Sequence, residues 1–161
     1  MRDEDLDEAG AIINPDHDGG IRTAVNAWNE DPAAAKARYG PIASWDTSGI
    51  TNMYRLFCNR KDFNEDISRW NVSNVVSMGS TFCRATSFNG DLSPWNVSNV
   101  VNMNSMFNGA TSFDGDLSSW DVSNMEDMIG MFQGATSFDR QLGGAWATST
   151  ASKAFMFRNS P

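Results

Sequence analysis

A strict repeat of 25 residues constrains this chain more than any other feature of its sequence. Trp45, Trp70, Trp95 and Trp120 follow one another at that spacing. The same spacing relates four further apolar sets: Phe57, Phe82, Phe107, Phe132 and Phe157; Phe63, Phe88, Phe113 and Phe138; Met53, Met78, Met103 and Met128; and Ile67, Leu92, Leu117 and Leu142. A unit this short cannot bury its own apolar face, so neighbouring units must stack. We therefore predict that these recurrent side chains form one continuous core.

The apolar pattern changes within each unit, and the change predicts its secondary structure. Leu92, Trp95 and Val97 match the L-x-x-L-x-L phase of a leucine-rich repeat, in which a short strand points such residues inward. From Val100 to Phe113 the apolar residues step by three and four, which is the period of a helix with one buried stripe. The predicted fold class is therefore α/β, a leucine-rich-repeat-like solenoid of about four to five strand–helix rungs over residues 45–161.

The sequence upstream of the repeat divides into two parts. Residues 1–20 hold seven acids and one base, which predicts an acidic flexible tail. Residues 21–44 are predicted to form a helical N-terminal cap, since terminal repeats need an atypical outer face. Pro32 should split this cap into two short helices, because the residue before proline resists a helix and proline suits a helix start.

The charge and the motif content exclude several classes of function. The chain carries 20 Asp and Glu against 12 Lys and Arg, and its net charge of −8 opposes binding to nucleic acid or to an anionic membrane surface. No apolar run is long enough for membrane insertion, and the acidic N-terminus lacks the basic-then-apolar pattern of a signal peptide. The only histidine is His17, and no nucleotide-binding or hydrolase fingerprint is present. We therefore do not expect an enzyme.

Several phrases of the sequence resemble a known family. WDTSGITNMYRLF, DISRWNVSNVVSM and GDLSPWNVSNVVNMNSMF are similar to BspA-type surface-protein repeats, which are also known from mycoplasma lipoproteins. The resemblance covers residues 45 to about 142. It implies a leucine-rich-repeat-like protein, secreted or at the cell surface, that binds a protein or glycan in adhesion or recognition and has no catalytic activity.

In such a solenoid the outward positions of the strands line a concave sheet face, which is the usual recognition surface. The candidates for ligand binding on this face are Asp46, Arg69, Asn71, Pro94, Asn96 and Asp121. Arg69 and Pro94 interrupt the repeated Asn, Asp and Ser residues, so we expect them to determine specificity. The alternative is that the repeated polar residues bond to neighbouring rungs as ladders. Binding of ice or a mineral by this polar ladder is a third alternative.

The end of the array indicates a second function. No matching cap follows Phe157, so Phe155 and Phe157 are candidates for docking onto another chain. The alternative function is then a structural subunit of a fibre, a surface layer or a larger assembly of copies.

Cys58 and Cys83 occupy the same position of neighbouring units, because they are 25 residues apart and each follows the repeat phenylalanine. Stacking would place them about 5 Å apart, within the range that a disulfide spans. We predict a disulfide, which would favour an oxidising compartment; two reduced, partly buried thiols are the alternative. A metal site is not predicted here, since two sulfur ligands need further His or Cys partners.

Asn14, Asp16 and Asp18 match the opening of a calcium loop, with oxygen donors at its first, third and fifth places. The twelfth place is Val25, which cannot supply the bidentate acid. A calcium site is therefore one hypothesis, and a polar turn before the first helix is the other. No further cofactor is predicted.

Overall fold

A computed structural model describes residues 17–161 of the chain. Its helices are α1 (Asp18–Glu30), α2 (Pro32–Tyr39) and α3 (Ala145–Thr148), with a 3-10 helix at Ile42–Ser44. Most of the other described residues lie in turns. The helix α1 begins ahead of the boundary drawn at residue 21, and residues 1–16 of the acidic segment lie outside the described residues.

The predicted break at Pro32 is confirmed. Asp31 ends α1, and its carboxylate caps α2 by accepting from the N–H of Ala34 at 3.1 Å. The apolar side of α1 is buried, and its Trp28 packs edge-on against Trp45 with ring centroids 5.8 Å apart. The two helices therefore lie against the first repeat.

From residue 45 onward the chain forms a stack of coils, each built of consecutive turns. We number them from their first tryptophan: coil 1 (45–69), coil 2 (70–94), coil 3 (95–119), coil 4 (120–145) and coil 5 (146–161). Isolated parallel bridges join neighbouring coils through Asn52, Ser77, Asn102, Asp127 and Ser152. Because each bridge joins residues 25 apart, the sequence period corresponds to one coil of the stack.

Backbone hydrogen bonds hold the coils together in an alternating pattern. Four alternate residues of coil 1 donate forward to coil 2: Met53 N to Ser77 O (2.9 Å), Arg55 N to Gly79 O (3.0 Å), Phe57 N to Thr81 O (2.8 Å) and Asn59 N to Cys83 O (2.7 Å). The intervening amides bond within their own coil, as Leu56 N does to Met53 O at 3.1 Å. The pattern recurs between later coils, so this part of each coil presents N–H donors on its forward side and carbonyl oxygens on its backward side.

The predicted fold class, an α/β leucine-rich-repeat-like solenoid of strand–helix rungs, is wrong. The described residues have isolated bridges in place of a sheet, and no helix lies between residues 45 and 144. The predicted strand around Trp95 is a pair of turns, in which Trp95 N donates to Leu92 O and Val100 N donates to Val97 O. Asn, Asp and Ser side chains stabilise turns of this kind, which is why the outward polar positions do not belong to a strand.

The predicted helix fails because the backbone becomes left-handed at every fourth residue of that segment. In coil 3 these residues are Ser105, with a φ of 53°, and Gly109, with a φ of 70°, and the equivalent residues of the other coils also have positive φ. A left-handed residue interrupts the hydrogen-bond ladder of an α-helix. The apolar spacing of three and four residues therefore arises from consecutive turns, each of which returns a side chain to the core.

Large side chains fill the interior as continuous columns. One column consists of Phe57, Phe82, Phe107, Phe132 and Phe157, whose ring centroids are 5.4 to 5.6 Å apart. A second phenylalanine lies against the first in coils 1 to 4, as Phe113 does on Phe107 at 3.9 Å. The predicted core is confirmed for these rings, of which only Phe157 is exposed. At roughly 1.5 to 3 kcal/mol for each large side chain, their burial dominates the stability of the stack.

The tryptophans that begin coils 2 to 5 also make hydrogen bonds along the stack, each to a carbonyl 28 or 29 residues earlier in the chain. The indole Nε1–H of Trp95 donates to Ile67 O at 3.0 Å, and the tryptophans of coils 2 and 4 make the same bond. Trp146 stands one residue late in the repeat, and the short helix α3 absorbs the extra residue. Its indole consequently still reaches Leu117 O, at 3.0 Å.

The helix α1 supplies bonds to coil 1 that a preceding coil would otherwise make. Arg22 donates from Nη1 to Tyr54 O (2.8 Å) and from Nη2 to Asn52 O (3.3 Å), which are two of the backward-facing carbonyls. Asp18 Oδ1 accepts from Thr51 N (2.8 Å) and Asn52 N (3.1 Å), as a backbone carbonyl does between later coils. Arg22 therefore takes the place of backbone donors, and Asp18 takes the place of a backbone acceptor. The two side chains lie one helical turn apart on α1.

Candidate functional site

The first candidate surface is a row of polar turns, formed by Asp46, Asn71, Asn96 and Asp121 on coils 1 to 4, which we call the turn row. In each turn the side-chain Oδ1 accepts from the backbone N–H two residues later, at 3.0 to 3.1 Å. In coils 1 to 3 a serine hydroxyl donates to the same oxygen at 2.6 to 2.7 Å. The four residues are exposed, but they close turns and do not line a sheet.

These bonds also set the charge of the row. The hydroxyl and the N–H of Ser48 hold the pKa of Asp46 below its usual value, and Ser123 does the same for Asp121. Both carboxylates are therefore ionised at neutral pH, where a general acid would have to hold a proton.

The polar ladder between coils is made by a different set of asparagines. Asn74, Asn99 and Asn124 donate from Nδ2 to a backbone carbonyl of the preceding coil at 2.7 to 2.8 Å. A ladder between coils therefore exists, but at residues other than those of the turn row. In Asn71 and Asn96, by contrast, the side-chain bonds stay within one turn.

Asn71 and Asn96 each keep one group that a ligand could use. The turns occupy their Oδ1 atoms, whereas neither Nδ2 has a hydrogen-bond partner among residues 17–161. Arg69 and Pro94 are exposed and lie two residues before these asparagines, on the other side of a buried tryptophan. The turn row therefore offers two amide donors on adjacent coils, with a guanidinium beside the first.

The second candidate surface is the forward side of coil 5, which we call the C-terminal face. It carries the backbone N–H groups of Lys153, Phe155, Phe157 and Asn159, at the positions that donate to the following coil elsewhere in the stack. These four groups have no acceptor within residues 17–161. Phe155 is 62% exposed and Phe157 is 46% exposed, although Phe157 stacks on the preceding ring of its column. The face therefore combines four free donors with two aromatic rings.

Phe155 has a backbone conformation that bulky residues rarely adopt. Its φ is 57°, in the left-handed region. The equivalent residue of coil 4 is Gly130, for which such a φ has little steric cost. The guanidinium of Arg158 lies 5.5 Å from the centroid of the Phe155 ring. A strained position of the C-terminal face thus carries an aromatic ring that the described residues do not bury.

The third candidate is a shallow cavity of about 230 Å³ between coils 1 and 2, which we call the thiol pocket. Cys58 and Cys83 both line it, and each is half-buried. Both are thiols in the structure, and the disulfide between them stays a prediction. Arg55 and Arg84 line the same cavity.

The pKa of the Cys83 thiol is shifted by its surroundings. Burial raises the pKa of Cys83 to about 11, and the negative charge and hydrogen bond of Cys58 contribute to the same shift. Cys83 therefore keeps its proton at neutral pH and can donate it to the neighbouring sulfur.

Asp18 is the residue of the calcium hypothesis that the structure describes, and it has another role. Asp18 is the first residue of α1, and both of its carboxylate oxygens accept hydrogen bonds from Thr51 or Asn52. Asn14 and Asp16 lie outside the described residues. Across residues 17–161, no three His, Cys, Asp or Glu side chains form a group that could hold a metal ion.

Sequence reasoning missed the arginines of the thiol pocket and the role of Arg22. A signal for the pocket existed, because Arg55 and Arg84 occupy repeat positions that carry Gly130 in coil 4 and Gly109 in coil 3. An arginine at a position that suits glycine indicates that its side chain has a specific role there. No such signal marked Arg22, which lies outside the repeat.

The sequence of this chain matches one known protein family. The sequence model of a family described as "Mycoplasma protein of unknown function, DUF285" matches residues 29–146, which is most of the chain. The chain belongs to the DUF285 family. This membership agrees, at a coarse level, with the resemblance to mycoplasma-type surface repeats. Searches of curated proteins and of solved structures give no match.

Within residues 17–161 of this DUF285 protein, no helix is both long enough and apolar enough to cross a bilayer.

Proposed function

We propose that this DUF285 protein is a non-catalytic recognition module of a surface or secreted protein, and that it binds another protein through its C-terminal face. The resemblance to BspA-type surface repeats supports the location. One observation carries the binding proposal: the four forward N–H groups of coil 5 have no acceptor among residues 17–161.

Free backbone donors favour a partner that offers carbonyl oxygens at the same spacing. Elsewhere in the stack, the equivalent donors meet carbonyls of alternate residues at 2.7 to 3.0 Å. Each such bond contributes about 0.5 to 1.5 kcal/mol net, so a row of four is a substantial part of a binding energy. The partner we propose is therefore a protein segment whose backbone carbonyls point from alternate residues along one edge.

The exposed rings supply the apolar part of this surface. Phe157 is the last ring of its column, and it stacks on Phe132 with centroids 5.6 Å apart. A flat apolar group of the partner, placed over Phe157, would extend the column and bury the exposed part of the ring. Aromatic side chains that become fully buried in this way often dominate the affinity of an interface.

Photo-crosslinking from the position of Phe155 would identify the partner in an extract of the source cells. The purified partner is then titrated with the native chain, with Phe157→Asp and with the control Val76→Asp. Phe157 and Val76 are both 46% exposed, but Val76 lies in coil 2. We expect Phe157→Asp to weaken binding by about tenfold or more and Val76→Asp to leave it unchanged.

Hydrogen–deuterium exchange of the complex gives a second readout. The amides of Phe155, Phe157 and Asn159 should exchange more slowly when the partner is bound. Unprotected amides, or equal affinity for Phe157→Asp and the native chain, would refute the proposal. Sedimentation velocity decides whether the partner is a second copy, in which case the chain is a structural subunit of a larger assembly.

A second candidate function is glycan binding at the turn row, favoured by the exposed Nδ2 donors of Asn71 and Asn96. Amide donors on adjacent coils can bond to the hydroxyl oxygens of a polysaccharide. The double variant Asn71→Asp with Asn96→Asp is a clean test, because Asp46 and Asp121 hold the same turn with a carboxylate. We expect normal folding and loss of binding on a glycan array. Unchanged binding would exclude the turn row.

A further inference from the structure

The paired cysteines are specific to coils 1 and 2. The repeat positions of Cys58 and Cys83 carry Asn108 in coil 3 and Gln133 in coil 4. The backbone fixes the spacing of the pair, because Asn59 N donates to Cys83 O at 2.7 Å and joins the two coils next to the side chains. Both side chains line one cavity, so the two thiols lie on the same side of neighbouring coils, as a disulfide between them would require.

The arginines of the thiol pocket occupy strained positions. The φ of Arg55 is 57° and that of Arg84 is 56°, both in the left-handed region. Glycine takes the position of Arg84 in coils 3 and 4, as Gly109 and Gly134, and the position of Arg55 in coil 4, as Gly130. Strained residues of this kind cluster at functional sites. The same backbone conformation recurs in every coil, but only in coils 1 and 2 do these positions carry arginine, which places two positive charges at the edge of a cavity that two thiols line.

We propose that Cys58 and Cys83 form a reversible dithiol–disulfide site that reacts with small disulfides carrying carboxylate groups. The two guanidiniums line the same cavity as the thiols and attract such reagents. Cys83, whose pKa burial raises to about 11, keeps its proton until the exchange is under way. The thiol pocket is separate from the C-terminal face, so the two proposals can fail independently.

The exchange has two steps, and its electrons balance. The Cys58 thiolate attacks one sulfur of the reagent RS–SR, the reagent's sulfur–sulfur bond breaks, and RS⁻ leaves. Cys83 then loses its proton to solvent and attacks the sulfur of Cys58, the bond from Cys58 to the reagent breaks, and a second RS⁻ leaves. The two protein thiols lose two electrons, and the small disulfide gains them as two thiols.

The test compares two reagents of opposite charge on the reduced full-length chain. Dithiodiglycolate carries two carboxylates, whereas cystamine carries two ammonium groups. Intact-mass spectrometry should detect loss of two hydrogen atoms with either reagent. We expect dithiodiglycolate to react about tenfold faster at low ionic strength, and the ratio to shrink as salt screens the guanidiniums.

Three variants separate the parts of the site. Arg55→Gly with Arg84→Gly introduces the residue that other coils carry at these positions, so it removes charge and relieves strain, and the rate ratio should fall to about one. Cys83→Asn, which copies Asn108, should leave a stable mixed disulfide on Cys58. Cys58→Asn should react at least about tenfold more slowly than Cys83→Asn, because burial raises the pKa of the Cys83 thiol that it retains.

Several results would overturn the proposal. These are equal rates with the two reagents in the native chain, faster reaction of Cys58→Asn than of Cys83→Asn, and oxidation that produces only covalent dimers. Thermal melting of each reduced variant controls for folding. If an asparagine variant fails to fold, iodoacetamide labelling of the native chain, mapped by peptide mass, still decides which thiol reacts first, and first labelling of Cys83 would contradict the proposal.

Discussion

Arg22→Ala would test whether α1 ends the stack by replacing a coil. The substitution removes two charge-assisted donors, one to Tyr54 O at 2.8 Å and one to Asn52 O at 3.3 Å. Because the side chain is half-buried and the second bond is long, we assign about 1 kcal/mol to the first bond and about half as much to the second. The free energy of unfolding should therefore fall by about 1.5 kcal/mol.

Urea denaturation followed by tryptophan fluorescence would measure this fall. Thr23→Ala is the matched control, because Thr23 is the adjacent residue and its hydroxyl donates only to Gly19 O within α1. Arg22→Lys keeps the charge but offers a single nitrogen. Its free energy of unfolding should therefore fall by less than that of Arg22→Ala and by more than that of Thr23→Ala. A fall of less than about 0.5 kcal/mol for Arg22→Ala, or an equal fall for Thr23→Ala, would mean that apolar packing alone holds α1.

Three further predictions concern single features of the coils. Trp95→Phe removes a buried indole donor and leaves a cavity, so the free energy of unfolding in urea should fall by about 2 kcal/mol; a value below about 0.5 kcal/mol would contradict the role of the indole bond. Gly134→Ala should cost about 1 kcal/mol because φ is 70° there, whereas Gly143→Ala should be nearly neutral, and equal melting temperatures would refute this difference. Serine turns lower the pKa of Asp66 and Asp116, so these carboxylates stabilise the fold above their unfolded pKa and lose that contribution as the pH falls. The double Asp→Asn variant should therefore lose less stability between about pH 7 and pH 2 than the native chain, and an identical loss in urea midpoints would be evidence against it.

The sequence period predicted which side chains are buried, but it could not predict the backbone path. An apolar spacing of three and four residues is typical of a helix, yet consecutive turns with a left-handed residue at every fourth position produce the same spacing. Gly109, Gly130 and Gly134 are hints of such turns in coils 3 and 4. In coils 1 and 2 the same positions carry arginine, serine and asparagine, which conceal the pattern.

The candidate surfaces were predictable to different degrees. The adjacency of Cys58 and Cys83 followed from their spacing, since residues one period apart lie on neighbouring coils. Phe155 and Phe157 could also be selected from the sequence as the phenylalanines of its final repeat unit. The row of free donors beside them could not be, because the direction of each N–H group depends on the type of turn.

Most of the backbone N–H groups that bond between coils point forward, and this also makes the stack electrically polar. In each of coils 1 to 4, four peptide units have their N–H directed forward and their carbonyl directed backward, so their dipoles add along the stack, as they do along a helix axis. The positive pole lies at the C-terminal face, and the guanidinium of Arg22 sits at the negative pole. A carboxylate of an approaching molecule would therefore be drawn to the C-terminal face before any contact forms, and added salt would slow that encounter.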